Sequence, residues 1–348
     1  MLAPPSLTQI GERVAARIDA LLRGERARWT AIDSDLAEPL DALAAFVAAG
    51  GKRLRPAFCH WAFVGAGGGD LDVPTRAGAG LELLHTFALV HDDVMDDSPV
   101  RRGLPSIHAQ FVDRHVAAGW RGESRRFGES VAILVGDLAF VYADQLLRGA
   151  PADALDVFTE LRVEVNIGQY LDVKAGYDGH HARDRARRIS VLKSGKYTVE
   201  RPLHLGAALA GRLDDLAPGL TAYGLPLGEA FQMRDDLLGA FGEELLLGKP
   251  VGDDLREGKV TELVSAAREV ASPAALAVLD RVGAADLSDD ELRRVQEVLV
   301  ETGARDAMEA RIAELTDQAV AALAHVDLAA PASTELEALA TYIASRDT

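Results

Sequence analysis

The chain is short of cysteine, aromatic residues, positive charge and long apolar runs, and each shortage excludes something. One cysteine, Cys59, among 348 residues leaves no internal disulfide framework. It fits a reducing compartment, so a cytoplasmic location is expected. No segment approaches the roughly 18 uninterrupted apolar residues of a membrane-spanning helix, so no stable membrane insertion is expected. The opening Met1-Leu2-Ala3-Pro4-Pro5 has no basic stretch followed by an apolar run, so no signal peptide is expected. Lys and Arg number 37 against 54 Asp and Glu, a formal charge of −17. That balance argues against a general nucleic-acid binder, which needs a basic footprint to release counterions. An anionic substrate must instead be met by local clusters of cations working against the global field. What is present is a hydrophobic fraction of 48%. A chain of this size can bury roughly three quarters of its unfolded surface, which excludes disorder as the main state.

Aromatics make up 5% of residues. Ala and Leu are abundant and alternating β-branched runs are scarce, so the expected fold class is all-α. Leu36 to Ala49 repeats apolar residues at helical spacing and stops at Gly50-Gly51. Thr75 to Asp97 predicts a long helix on Leu81, Leu84, Ala88 and Met95, and Ser130 to Leu147 and Asp153 to Val173 predict two more. Ser288-Asp289-Asp290-Glu291 reads as a capping box opening a helix with Leu292, Val295, Val298 and Leu299 on one stripe. His115 to Gly128 is expected to be an irregular surface connection, and Gly65 to Asp72 another. No repeat, low-complexity linker or composition shift divides the chain. A single domain over 1–348 is the simplest expectation, with the last 80 or so residues as a candidate for a loosely attached subdomain.

Chemistry concentrates in His91-Asp92-Asp93-Val94-Met95-Asp96-Asp97. Asp92 and Asp96 share one helix face, as do Asp93 and Asp97. Each like-charge pair at that spacing costs a helix on the order of 0.2–0.5 kcal/mol. The residues just before are apolar, so these carboxylates end a buried helix and need cations. Hard oxygen donors with no His or Cys among the nearest ligands select Mg²⁺, which takes one or two carboxylates and completes its shell with phosphate oxygens and water. A second acidic pair, Asp235-Asp236, also follows an apolar helical run, Leu225 to Phe231. Two such pairs suggest carboxylates facing each other across a cavity.

The cations complement them. Gly50-Gly51-Lys52-Arg53-Leu54-Arg55-Pro56 puts three on a glycine-opened loop, and Pro56 suits the first position of a new helix. Arg101-Arg102-Gly103, Lys193-Ser194-Gly195-Lys196, and Gly248-Lys249 to Lys259 add more. Each cluster alone is ordinary surface more often than ligand. Together with two acidic pairs they describe a polyphosphate-ester site held partly through Mg²⁺ and partly by direct salt bridges. There is no Walker A sequence, no zinc spacing and no nucleophile elbow. His85, His91 and His108 lie near the acidic cluster as donors or as core histidines.

These residues resemble the trans-isoprenyl diphosphate synthases, the polyprenyl synthetase family. The resemblance runs through GGKRLRP at 50–56, HDDVMDDSPVRRG at 91–103, GQYLD at 168–172, KSGKYT at 193–198, FQMRDDLLG at 231–239 and GKPVGDDLREGK at 248–259. The helices of 260–348 match only in helical character. The resemblance implies an isoprenoid-synthase-type bundle around a deep central cavity, usually a homodimer. It implies head-to-tail condensation of an allylic diphosphate (dimethylallyl, geranyl or farnesyl) with isopentenyl diphosphate, with three Mg²⁺ ions when substrate is bound. Carried across, Asp92 and Asp96, with Asp93 in support, and Asp235, next to Asp236, are the metal-binding carboxylates. Lys52, Arg55, His85 and Arg102 would bind isopentenyl diphosphate. Arg101, Lys193, Gln232, Lys249 and Lys259 would hold the allylic diphosphate, with Ser194 where the family often has Thr. Gln169 and Asp172 should face the cavity. One departure is Gly239, where the family commonly has a further Asp. Phe87 and Ala88, five and four residues before Asp92, would set product length, and one aromatic there resembles enzymes that stop at geranylgeranyl diphosphate. Farnesyl or longer products are the alternative. A terpene cyclase would share the acidic motifs but has no need of a second diphosphate pocket. A non-catalytic regulatory subunit should have lost aspartates that are intact here.

Overall fold

The structure is a computed structural model that describes residues 3–178, 182–242 and 252–346. Helices α1 (Pro5–Thr30), α2 (Ala37–Ala48), α3 (Leu54–Gly65) and α4 (Asp72–Met95) lead into a two-residue hairpin pairing Val100–Arg101 with Leu104–Pro105. Next come α5 (Ile107–Ala118), α6 (Ser124–Leu147), α7 (Ala152–Asp178) and α8 (Arg183–Ile189). α8 runs without a break into a π-helical segment, Ser190–Glu200, and then into α9 (Arg201–Leu209). α10 (Leu213–Phe241) is the longest helix among the described residues. After it stand α11 (Asp253–Glu257), α12 (Glu262–Val270), α13 (Pro273–Leu279), α14 (Asp289–Glu301), α15 (Ala304–Leu323) and α16 (Ala332–Ser345). The hairpin supplies the only strands among the described residues, and the all-α expectation holds.

Small residues set the packing. The first half of α4 carries Ala77-Gly78-Ala79-Gly80, all buried. A Cβ at Gly78 would lie 3.0 Å from Pro56 and 3.1 Å from Val14, so α1 and α3 close tightly on this helix. A Cβ at Gly80 would overlap Leu147 of α6. With its first half clamped on three sides, α4 projects its last turns, and the acidic motif, at a fixed angle. The main core gathers α1 to α7, α9 and α10 around Leu83, Leu84, Phe58, Phe158 and Tyr223. A second core packs α12, α14 and α15 on the far half of α10 through Met233, Leu237, Val264, Val295 and Ile312. α16 then returns to the main core with Leu336, Leu339 and Ile343.

Several boundaries differ from expectation. α6 begins at Ser124, six residues before Ser130, and α5 runs to Ala118, so most of His115–Gly128 is helical. The polar start of α6, Ser-Arg-Arg with Glu129, hides its period, and Arg125 pairs with Glu129 across one turn at 2.6 Å. Gly119 ends α5 in the left-handed conformation (φ 62°), a position that suits a residue without a Cβ. Pro56 sits in the third position of α3 and not the first, because Arg53 serves as N-cap with φ 53°. The capping box at Ser288 and Glu291 is present.

Candidate active site

A cavity of about 740 Å³ opens between the end of α4, the middle of α7, the π-helical segment, the second half of α10, and the loop before α3. Its acidic wall begins with Asp92. Lys193 Nζ donates to Asp92 Oδ1 at 3.1 Å and to Asp172 Oδ2 at 2.6 Å, and Gln169 Nε2 donates to the same Asp92 oxygen at 2.8 Å. Burial opposes ionisation of Asp92, but Lys193, Lys259 and Arg101 outweigh it and hold the carboxyl below its ordinary range. One turn on, burial and the charge of Asp92 push Asp96 the other way, upwards. Lys259 Nζ lies 3.7 Å from Asp96, 2.6 Å from Glu257 and 3.3 Å from Asp254. Asp93 points into the protein and accepts from Arg101 Nε at 2.7 Å, so it positions that guanidinium, which itself reaches the cavity.

From α10 come Gln232, Asp235 and Asp236. Gln232 Nε2 donates to Asp236 Oδ1 at 2.7 Å, yet burial dominates and raises the Asp236 carboxyl well above its ordinary value. Asp235 Oδ1 accepts from Arg346, which follows α16. That guanidinium is 2% exposed, lies 4.3 Å over the ring of Phe231 and donates to the Phe231 carbonyl at 3.1 Å. Its Nε and Nη1 are buried without a hydrogen-bond partner.

The cationic wall is built by the glycine-opened loop. Gly51 has φ 146°, and a Cβ there would lie 3.0 Å from Arg102 Nη2, so the glycine lets that guanidinium pass. Arg53 is structural: it pairs with Glu82 and donates to the Val47 carbonyl at 2.8 Å. Arg55 lies 4.2 Å over the Tyr197 ring and donates to Thr198 Oγ1 at 2.8 Å. Burial lowers the Lys52 ammonium to about 8; Asp235 opposes this, while Arg346 and Arg102 add to it. Burial first, then Arg55 and Arg102, keep His85 neutral.

Of the residues singled out in the sequence, Lys52, Arg55, His85, Arg101, Arg102, Asp92, Lys193, Ser194, Gln232, Asp235, Asp236 and Lys259 all line this one cavity. Phe87, Ala88, Gln169 and Asp172 line it too. Asp93 faces away, and Lys249 lies outside the described residues. Lys196 is committed to Glu164, and His108 is a buried partner of Ser106 at 3.1 Å. His91 bonds the Ile133 carbonyl of α6 at 3.0 Å. Sequence reasoning missed Arg346, Asp254, Glu82 and Tyr197. Arg346 is a lone cation in a polar tail, and only its alternation with the apolar stripe of α16 hinted that it turns inward.

The donors suit magnesium. All are carboxylate oxygens, and Asp96 Oδ2 is buried with no hydrogen-bond partner. Among the described residues no three His, Cys, Asp or Glu side chains converge closely enough to hold an ion alone. An ion here therefore needs further oxygens from a phosphate ester and water, the usual habit of Mg²⁺.

The polyprenyl synthetase family model matches residues 37–299. The chain belongs to the polyprenyl synthetase family. Its members are trans-prenyltransferases that use isopentenyl and allylic diphosphates with magnesium. A geranylgeranyl diphosphate synthase of Sulfolobus acidocaldarius is 35% identical over 241 residues, 67% of this chain and 68% of that one. A geranylfarnesyl diphosphate synthase of Aeropyrum pernix is 32% identical over 86% of this chain and 92% of its own. The crystal structure of a geranylgeranyl pyrophosphate synthase from Corynebacterium glutamicum, complexed with isoprenyl diphosphate and magnesium, superposes with a TM-score of 0.93. That protein is 36% identical, and the match covers 98% of this chain and 99% of the other.

Proposed function

We propose that this polyprenyl synthetase, acting as one domain, condenses an allylic diphosphate with isopentenyl diphosphate and stops at geranylgeranyl diphosphate. One observation carries the reading: a single cavity holds an acidic wall with its own lysines and, beside it, a separate cationic set of Lys52, Arg55, His85 and Arg102. Two diphosphates need two such sets, whereas a cyclase needs one. Lys193, Arg101, Gln232 and Lys259, with Ser194 and Lys249, would grip the allylic diphosphate. Asp92, Asp96 and Asp235 would hold magnesium, three ions in the loaded enzyme, which neutralises diphosphate oxygens and stabilises the departing pyrophosphate.

The chain's residues then orient and exclude water. Asp235 must exchange Arg346 for its ligand role, and Asp93 keeps Arg101 aimed at the cavity. Neutral His85 offers an N–H without adding charge to a crowded cationic wall. The allylic C1–O bond breaks with its electron pair on pyrophosphate, and the isopentenyl π pair forms the new carbon–carbon bond. The proton lost from isopentenyl C2 passes to the released pyrophosphate. No protein nucleophile is required. The twenty-carbon product rests on Phe87 and Ala88 in the cavity wall and on the names of several relatives.

A homodimer fits the exposed stripes Ile133, Leu134 and Val141 on α6 and Val163, Ile167 and Tyr170 on α7, which are 45–66% accessible. α6 is also long and apolar enough, by length and composition, to cross a bilayer, but only one face of it points outward, and a second copy accounts for that face. The lone, buried Cys59 fits a reducing cytoplasm. The test is incubation with Mg²⁺, isopentenyl diphosphate and dimethylallyl, geranyl or farnesyl diphosphate in turn, with products read by mass. Geranylgeranyl diphosphate is expected. A farnesyl or longer product would keep the chemistry and remove the length assignment. Release of pyrophosphate with a hydrocarbon or alcohol would mark a cyclase, and diphosphate binding without turnover a regulatory subunit.

A further inference from the structure

The second acidic motif ends in Gly239, and the space beside that glycine is filled. A Cβ at 239 would overlap Asp254 Oδ2 and lie 2.7 Å from Asp254 Cγ. Gly239 belongs to α10 and has no positive φ, so its backbone does not call for glycine. A glycine inside a helix costs about 1 kcal/mol against alanine. The neighbouring carboxylate, and not the local backbone, is what requires a residue without a side chain there.

Asp254 comes from a different element, α11, and lines the same cavity as Asp235 and Asp236. α11 is pinned in place: Leu255 is buried in the second core, and Arg256 donates to the Leu287 carbonyl at 2.8 Å. Asp254 Oδ1 accepts from Lys259 at 3.3 Å, and the same ammonium lies 3.7 Å from Asp96. Asp254 thus stands between the two acidic motifs, tied to the first through Lys259 and pressed against the second at Gly239. Its negative charge is felt at Asp236, whose carboxyl burial raises first and Asp254 raises further.

We infer that Asp254 delivers from α11 the carboxylate that α10 lacks at position 239, and that it positions the oxygen donors around the magnesium that accompanies the allylic diphosphate. The inference rests on the prenyltransferase reading. It makes Asp254 a positioning residue and makes the two positions exclusive, because a side chain at 239 and the carboxylate at 254 claim one volume.

Calorimetric titration of Mg²⁺ into the full-length protein, with farnesyl thiolodiphosphate as an unreactive allylic ligand, tests this without reference to turnover. Asp254→Asn, which keeps the side chain's size, and Asp254→Ala should each weaken Mg²⁺ uptake about 10–100-fold, as loss of an outer partner does. Gly239→Asp in the Asp254→Ala background should recover most of that loss. Gly239→Asp alone should lower the melting temperature of the metal-free protein, since both carboxylates then compete for one space. Wild-type Mg²⁺ affinity in Asp254→Asn would overturn the inference. So would a double variant no better than Asp254→Ala, or a Gly239→Asp protein that melts and binds like wild type. Failure of the wild-type protein itself to take up Mg²⁺ with this ligand would overturn the prenyltransferase reading, and the inference with it.

Discussion

At the scale of single residues, two positions make sharp claims about the proposed reaction. Phe87 stands five residues before Asp92, its ring 4.9 Å from Phe140 and 4.6 Å from His91, so α6 holds it against the cavity. Ala88 lines the same wall one turn below Asp92. Removing the phenyl ring opens space towards Phe140, and adding one at Ala88 closes the floor beneath the first motif. Phe87→Ala is expected to lengthen the product by one isoprene unit or more, and Ala88→Phe to shorten it. Mass spectrometry of the products decides, and unchanged lengths in both variants would remove this helix as the ruler. Lys52 makes the second claim. Its pKa is lowered to about 8 because burial disfavours the ammonium more than Asp235 restores it. The cation is present below that pH and lost above it. If Lys52 holds isopentenyl diphosphate, kcat/KM for that substrate should fall about tenfold between pH 7 and 9, reporting a free-enzyme ionisation. Lys52→Arg should flatten that arm, because a guanidinium keeps its charge. An arm that persists in the variant would assign the titration elsewhere.

At the scale of elements, what could be read from the sequence divides by physical cause. Helices with an apolar stripe on a polar background, such as α4 and α14, were legible to within a few residues because their packing repeats with the helix period. The start of α6 was not, since its first turn is held by ion pairs such as Arg125 with Glu129 and not by buried side chains. Asp92, Asp96 and Asp235 were legible because like charges beside apolar runs are costly without a cation. Arg346 and Asp254 were hidden because their partners, Asp235 and Gly239, are 111 and 15 residues away and nothing local marks the meeting. The π-helical segment was hidden too. Lys193-Ser194-Gly195-Lys196 looks like a basic loop, yet Gly195 lies against Gly228 of α10 with backbone touching backbone. A Cβ at Gly228 would sit 2.6 Å from the Gly195 carbonyl oxygen, and no flexible side chain is there to yield. Gly228→Ala should therefore cost about 1–3 kcal/mol of stability, read as a lower denaturant midpoint. It should also lower kcat/KM, since Gln232 and Asp235, one and two turns further along α10, would shift relative to Lys193. Retained activity with lost stability would mean the seam is structural only.

For the molecule as a whole, the sites and the surface pull in different directions. A formal charge of −17 surrounds a cavity walled by Lys52, Arg55, Arg101, Arg102, Lys193 and Lys259, so the cations act at short range and under burial where water screens them least. The same surface carries uncharged stripes on α6 and α7 that an isolated chain would leave in water. These helices also back the cavity: His91 bonds the Ile133 carbonyl, a Cβ at Gly136 would overlap its ring, and Phe87 leans on Phe140. α7 supplies Gln169 and Asp172 from a helix whose outward face bears Ile167 and Tyr170. Covering the stripes with a second copy would stiffen the wall on which Asp92 and Phe87 are mounted. Sedimentation of the wild-type protein should therefore give twice the chain mass of 37.1 kDa. Leu134→Asp combined with Ile167→Asp adds two negative charges per chain to a surface that meets its own image, and should give the single mass. Circular dichroism should stay helical, because both side chains are outside the core, at 61% and 51% exposure. The monomer should elongate more slowly at saturating substrate with a smaller change in KM, since the cationic loop before α3 lies away from the altered helices. A helical monomer with undiminished kcat would show that each chain's cavity wall is rigid without a partner.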